Sequence, residues 1–359
     1  MKAAILKAFG SPLAVETLPD PILGTGEVVV DVVAAPVLSY ANEVFSGERK
    51  YLLNLPVAPG CGAIGRVRAV GPDATRLAVG DWVFCDPTVR SRDSVLTPDI
   101  TLQGLSARGE GGLRLQKHFH HGSFAEQMLI PTENAIPIGS IDPAQAGQWC
   151  ALNVLLVPYG GFLAANLQAG ETILVSGATG NFGTGSVAVA LAMGAGCVIA
   201  PGRNEKVLKD LECRFGRRLR PVKLTGDEET DRERMKQAAP GPIDCVLDIL
   251  PPAAGTTPVR AAAMTVREFG RVVLMGGVGM LGGDDLGLPY PWIMRNSITL
   301  RGQWMYPPEA TIRLFGLIRS GLLDLSNFEV REFSLDDVNE AVVHAASNSG
   351  PFKLTVIKP

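Results

Sequence analysis

Three glycines spaced by two residues carry the clearest chemical signal in this chain. They lie in Gly177-Ala178-Thr179-Gly180-Asn181-Phe182-Gly183, a G-x-x-G-x-x-G in place of the commoner G-x-G-x-x-G. Glycines so placed allow a tight turn, let backbone approach a pyrophosphate, and let a helix pack closely on the strand before it. The amides opening that helix then face the phosphates. A lone triplet is weak, but its context is specific. Residues 172–176 form a short apolar run suited to a buried strand, 184–194 is rich in Ala, Leu, Met and Val, and a second apolar run follows at 197–200. The end of that second run selects the dinucleotide, because an acid there bonds a ribose 2′-hydroxyl and an arginine accommodates a 2′-phosphate. Here it reads Gly202-Arg203-Asn204, with Lys206 nearby and Glu205 as the one acid. A guanidinium suits a phosphate by bidentate bonding. NADPH is the expected cofactor and NADH the poorer fit. The alternative reading makes Arg203 a solvated residue that opens the next helix.

The remaining reactive side chains are scattered. Six cysteines (61, 85, 150, 197, 213 and 245) include no C-x-x-C pair, a pattern of a reducing compartment and not of a disulfide frame or zinc ribbon. His118, His120 and His121 form the one histidine cluster. On a strand, His118 and His120 would share a face and offer two metal ligands, but no cysteine is near in sequence, so they read as surface or loop histidines. His344 is expected on a solvated helix face.

These residues must be positioned by more than one core. A length of 359 residues suggests two domains. Apolar content of 46% and a net charge of −3 favour neither nucleic acid nor an anionic membrane. No apolar run reaches the ~18 residues that a membrane span needs. The N-terminus reads as a first strand and not as a signal peptide, so the expected compartment is the cytoplasm. Residues 1–150 show short alternating runs at 27–33, 65–70, 82–85 and 125–130, broken by Gly and Pro, which predicts a β-rich, barrel-like domain. Residues 90–121 are polar and glycine-punctuated, and read as a long excursion over the surface. From 144 to 167 the composition turns helical. Strands at 172–176, 197–200, 221–224, 245–249, 271–276 and 297–301 then alternate with helices at 184–194, 204–213 and 228–238. Such alternation predicts an α/β doubly wound parallel sheet. Helices near 308–320 and 335–347 and a strand at 353–357 close the chain.

Several motifs together resemble one family. Gly26-Glu27-Val28-Val29-Val30, Pro59-Gly60-Cys61-Gly62-Ala63-Ile64-Gly65-Arg66-Val67, Gly80-Asp81-Trp82-Val83 and Gly122-Ser123-Phe124-Ala125-Glu126 look like signatures of the medium-chain dehydrogenase/reductase superfamily, in its zinc-independent, quinone-oxidoreductase-like branch. Asp248 and Gly270-Arg271-Val272-Val273 match as well. The resemblance implies a GroES-like barrel over 1–150, a Rossmann domain over 151–303, and a return to the catalytic domain over 304–359. It also implies an active site in the cleft between the domains, and a homodimer formed through the strand at 297–301.

The same resemblance frames the chemistry. The family's zinc-ligand positions fall at Leu38, at Cys61 within Gly60-Cys61-Gly62, and near Asn153, a set that lacks three ligands. Cys61 and Cys150 read as small buried hydrophobes. Without metal, a hydroxyl must stabilise charge or deliver a proton. Tyr40, two residues beyond the vacant position, and Tyr51 are the candidates, with a packing role as the alternative for each. Leu250, Gly276 and Gly277 are implied beside the nicotinamide. Gln303 and Trp304 are implied at its carboxamide, unless Trp304 packs at the dimer seam. The expected activity is metal-free, NADPH-dependent hydride transfer to a quinone or an α,β-unsaturated carbonyl. Metal-free alcohol/ketone chemistry is the first alternative, and an NADPH-binding sensor with little turnover the second.

Overall fold

The computed structural model describes residues 1–359 and divides the chain into two compact units. The first comprises Met1–Asn153, Leu325–Ser349 and Lys353–Pro359, and the second Val154–Asp324 and Gly350–Phe352. Residues 304–324, placed with the C-terminal return in the sequence reading, belong to the second unit. The return to the barrel begins at Leu325.

The first unit is built around the 11-residue strand Glu27–Val37. Its opening half pairs with Ala63–Val70 on one side and Gln127–Pro131 on the other, and residues 35–37 pair with the C-terminal strand Lys353–Lys358. The strand therefore changes partner along its length. Two register irregularities against Ala63–Val70 bend it, as bulges do in curved sheets. Trp82–Cys85, Ala135–Pro137 and Glu329–Ser334 complete a seven-stranded sheet. Pro36, which has no amide to donate, lies within this strand opposite Val356 of the C-terminal strand.

The excursion expected at 90–121 is corrected by the structure. Thr88–Arg90, Ile100–Leu102 and Ser106–Arg108 form a three-stranded antiparallel sheet, followed by the helix Gly109–Gln116. Ile100, Leu102, Leu105 and Phe119 are buried, so this is a packed lobe and not a polar excursion. The glycines misled because they serve packing. A Cβ at Gly112 would collide with the Ile100 carbonyl, and Gly104, at φ +71°, turns the second hairpin. His118 lies in the turn after the helix, so the strand face shared with His120 does not form.

The second unit holds a six-stranded parallel sheet in the order Leu219–Lys223, Cys197–Gly202, Thr172–Ser176, Ile243–Asp248, Val266–Leu274, Thr299–Gly302. This is the 3-2-1-4-5-6 order of the Rossmann fold. The first two strands in sequence are buried along their whole length, as parallel strands covered on both faces must be. The helix after the first strand runs Asn181–Ala192 and so begins three residues before the expected 184. Gly183 lies inside its first turn, where any Cβ would strike the Gly177 carbonyl.

Candidate active site

The strand order reverses between Thr172–Ser176 and Ile243–Asp248, and ligands of open α/β sheets bind beyond the strand ends at such a point. Gly177 follows the first of these strands at φ +96°, a conformation that favours glycine. Gly180 caps the Asn181–Ala192 helix in extended conformation without a side-chain cap, which leaves its N-terminus suited to an anion. A Cβ at Gly177 would lie 3.4 Å from Leu250 Cδ2, and one at Gly276 would lie 2.8 Å from the Leu250 carbonyl. The Gly277 amide donates to that same carbonyl at 2.8 Å. Gly177, Leu250, Gly276 and Gly277 thus converge at the switch point. Thr179 packs where a side chain on Gly202 would stand, which draws the glycine turn to the end of the second strand. Ala178 is buried and Phe182 half-buried at the same turn, while Asn181 turns its amide to the Gly350 carbonyl at 3.3 Å. Gln303 continues the pairing of Thr299–Gly302 by donating its amide to Leu274, and Trp304 next to it is exposed.

The charge at the second strand's end is positive. Arg203 and Lys206 are exposed, and Lys223, level with Gly202 in the parallel register, donates its ammonium to the Arg203 carbonyl. Lys223 also pairs with Glu205 at 3.3 Å, which offsets the one acid in the segment. Lys223 was legible in principle, because parallel register sets the ends of neighbouring strands side by side. Asn204 caps the next helix by accepting from the Val207 amide at 3.3 Å, so its side chain has a structural task. The residues present fit a dinucleotide.

In the first unit, Tyr40 and Tyr51 meet through a residue absent from the sequence reading. Arg49 lies over the Tyr40 ring, 4.1 Å from its centroid, and donates to the Tyr51 hydroxyl at 3.4 Å. Its Nε donates to Glu43 Oε2 at 2.7 Å. Burial disfavours the Arg49 charge, yet the bonds to Tyr51 and Glu43 hold the guanidinium's pKa above its usual value. Burial, reinforced by Tyr51 and Cys61, pushes the Tyr40 phenol well up, and Arg49 opposes that shift.

Residues 24–140 match the alcohol dehydrogenase GroES-like domain family. The chain is similar to an acryloyl-coenzyme A reductase of Metallosphaera sedula, 30% identical over 301 residues that cover 81% of each protein. The chain belongs to the medium-chain dehydrogenase/reductase family. Like its relatives it is an NAD(P)H-dependent oxidoreductase. Two solved structures share the fold: a thermostable alcohol dehydrogenase of Pyrobaculum aerophilum, with TM-score 0.77 and 22% identity, and a protein described as a zinc-binding dehydrogenase of Sinorhizobium meliloti, bound to NADP, with TM-score 0.79 and 20% identity. Each likeness covers 100% of this chain and 99% of the other.

The positions at which the family resemblance implies zinc ligands are Leu38, Cys61 and Asn153. Leu38 is buried and apolar. Cys61 is buried, and burial together with the nearby Asp86 carboxyl pushes its thiol far up. The Asn153 amide donates to the Cys61 carbonyl, and its Oδ1 would lie 2.8 Å from a Cβ at Gly62. Gly62 itself sits at φ +79°. No three His, Cys, Asp or Glu side chains are grouped to hold a metal ion. The residues present do not fit a catalytic zinc. The histidines at 118–121 bond locally: His118 to Glu27, His120 Nε2 to the Pro56 carbonyl at 2.7 Å, and His121 Nδ1, as acceptor, to the Ala58 amide at 3.1 Å. Burial lowers His121 to about 4. His344, expected to be solvated, is half-buried and bonds Thr355 Oγ1 at 2.9 Å.

Asp248, at the switch point, acquires a feature that its motif alone does not reveal. It is 3% exposed and opposite Ser176 in register. Oδ1 has no hydrogen-bond partner, while bonds from Ser176 and the Leu250 amide reach the carboxyl. Burial raises its pKa from an ordinary 3.8 to about 7, and those two bonds only partly oppose the shift.

Proposed function

We propose that this protein is a zinc-independent, NADPH-dependent reductase that delivers hydride to a quinone or an α,β-unsaturated carbonyl compound. This reading is carried by the residues at the positions where the family resemblance implies metal ligands: Leu38, a buried Cys61, and an Asn153 whose amide is tied to backbone. A hydroxyl must then serve the charge that hydride transfer creates, and we assign that role to Tyr40, with Tyr51 beside it through Arg49. Arg203, Lys206 and Lys223 favour a 2′-phosphate. The NADP bound by the Sinorhizobium meliloti protein agrees with that preference. The Metallosphaera sedula relative is named for acryloyl-coenzyme A, a conjugated thioester, and this favours an activated double bond as acceptor.

Bound NADPH supplies the hydride. The turn Gly177–Gly183 would hold its pyrophosphate, and Arg203 its 2′-phosphate. Leu250, Gly276 and Gly277 would line the nicotinamide, with the Gln303–Trp304 backbone at its carboxamide. Tyr40 gives the proton or bonds the oxyanion. Reduction of a plain ketone by the same residues is the second reading, favoured by the alcohol dehydrogenase of Pyrobaculum aerophilum among the fold's neighbours. The protein works as a homodimer through the exposed strand Thr299–Gly302. It resides in the cytoplasm, in keeping with six unpaired cysteines.

Oxidation of NADPH and of NADH, followed at 340 nm with an enone, a quinone and a simple ketone, ranks the readings. We expect turnover with NADPH on the first two that survives a chelator. Stoichiometric zinc with activity abolished by chelation overturns the metal-free reading, and tight NADPH binding without turnover on any acceptor makes the protein a sensor.

A further inference from the structure

Arg49 is 9% exposed, a rare state for a guanidinium unless it is paired. Glu43 fixes its Nε edge at 2.7 Å and the Tyr51 hydroxyl meets its Nη1 at 3.4 Å. The Tyr40 ring lies 4.1 Å from Cζ and the Tyr51 ring 5.9 Å. A planar cation held at its edge by a carboxylate and on its face by a ring has little freedom to turn. An ion pair to Glu43 alone would need neither tyrosine, so the two rings call for a further explanation.

We propose that Arg49 is a positioning residue for Tyr40, holding the phenol ring in place and supplying the positive charge that stabilises the phenolate left when Tyr40 gives its proton to the reduced substrate. The inference rests on the reading of Tyr40 as proton donor. In that step two electrons and a hydrogen nucleus leave NADPH, which becomes NADP⁺, and form a C–H bond on the substrate. The Tyr40 O–H bond breaks, its proton bonds the resulting enolate or alkoxide, and the phenolate afterwards takes a proton from water. Negative charge on a phenolate spreads into the ring, onto the face that Arg49 covers. Burial works against forming that anion, and Arg49 is the cation that works for it. Glu43 acts at one remove, by keeping the guanidinium aimed.

The test is a double-mutant cycle on the full-length enzyme with NADPH and whichever acceptor it reduces, comparing Tyr40→Phe, Arg49→Met, Arg49→Lys and the Tyr40→Phe/Arg49→Met double variant. Arg49→Met is expected to lower kcat tenfold or more, raise the solvent deuterium isotope effect on kcat, and leave KM for NADPH within about threefold. Arg49→Lys recovers part of the loss. In the Tyr40→Phe background Arg49→Met costs less than twofold, because its target has gone. If Arg49→Met does not fold, Glu43→Gln replaces it and should raise the isotope effect only where Tyr40 is present. Equal losses in both backgrounds, or an unchanged kcat, overturn the role given to Arg49. Full turnover by Tyr40→Phe overturns the reading of Tyr40 as donor, and this inference with it. An impaired Tyr40→Phe with additive Arg49 effects overturns this inference alone.

Discussion

Asp248 shows how one buried carboxyl can set the pH response of the nucleotide unit. Its Oδ1 lacks a partner and a Cβ at Gly276 would collide with its Oδ2, so the group is held where water does not reach. Its pKa is raised from 3.8 to about 7 in the folded chain, so the folded state binds more protons than the unfolded one between those values. The stability this contributes is present in full below pH 3.8 and is lost as pH rises through 7. At about 1.4 kcal/mol per pKa unit, the loss across the window is a few kcal/mol. Asp248→Asn, which keeps the shape without the charge, is expected to flatten the dependence of unfolding free energy on pH between about 4 and 7. Urea titrations at several pH values check this, and an unchanged slope would place the pH response on other groups.

At the scale of elements, the lobe formed by residues 88–116 is a buttress. Leu52, the residue after Tyr51, accepts from the Ala107 amide at 2.7 Å and from Gln116 Nε2 at 3.3 Å. Asn54 donates its amide to Gln116 Oε1 at 3.0 Å. The segment that carries Arg49 and Tyr51 is therefore clamped from its C-terminal side by the lobe. A Cβ at Gly112 on the lobe's helix would meet the Ile100 carbonyl of its sheet, so Gly112→Val overpacks that contact and should cost roughly 1–3 kcal/mol. A fall in kcat should accompany the fall in urea midpoint as the clamp slackens. Wild-type values of both would show that the lobe yields without consequence.

For the whole molecule, the outer edge of the parallel sheet is the place where a second copy would fit. All four residues of Thr299–Gly302 are exposed, and Leu300 among them is a large apolar residue. An open, partly apolar strand edge invites pairing with another chain. Leu300→Asp is expected to convert a dimer into a monomer in sedimentation velocity. A dimer that persists would put the seam elsewhere. No helix is long and apolar enough to cross a membrane.

The sequence by itself determined the parallel sheet, the glycine turn at 177–183 and the positive end of the second strand. Each is written in residues that are neighbours along the chain: apolar runs, Gly spacing, and an Arg one residue past a strand. Tertiary structure alone decided the partner of Tyr40, the lobe, and the state of Asp248. Arg49 is nine residues from Tyr40 with no helical or strand period to place it on that ring. Glycines 111 and 112 look like loop punctuation until the strand they pack against is known. The carboxyl of Asp248 is ordinary until Ser176, Leu250 and Gly276 close around it, because desolvation belongs to the packing of distant segments and not to any local pattern.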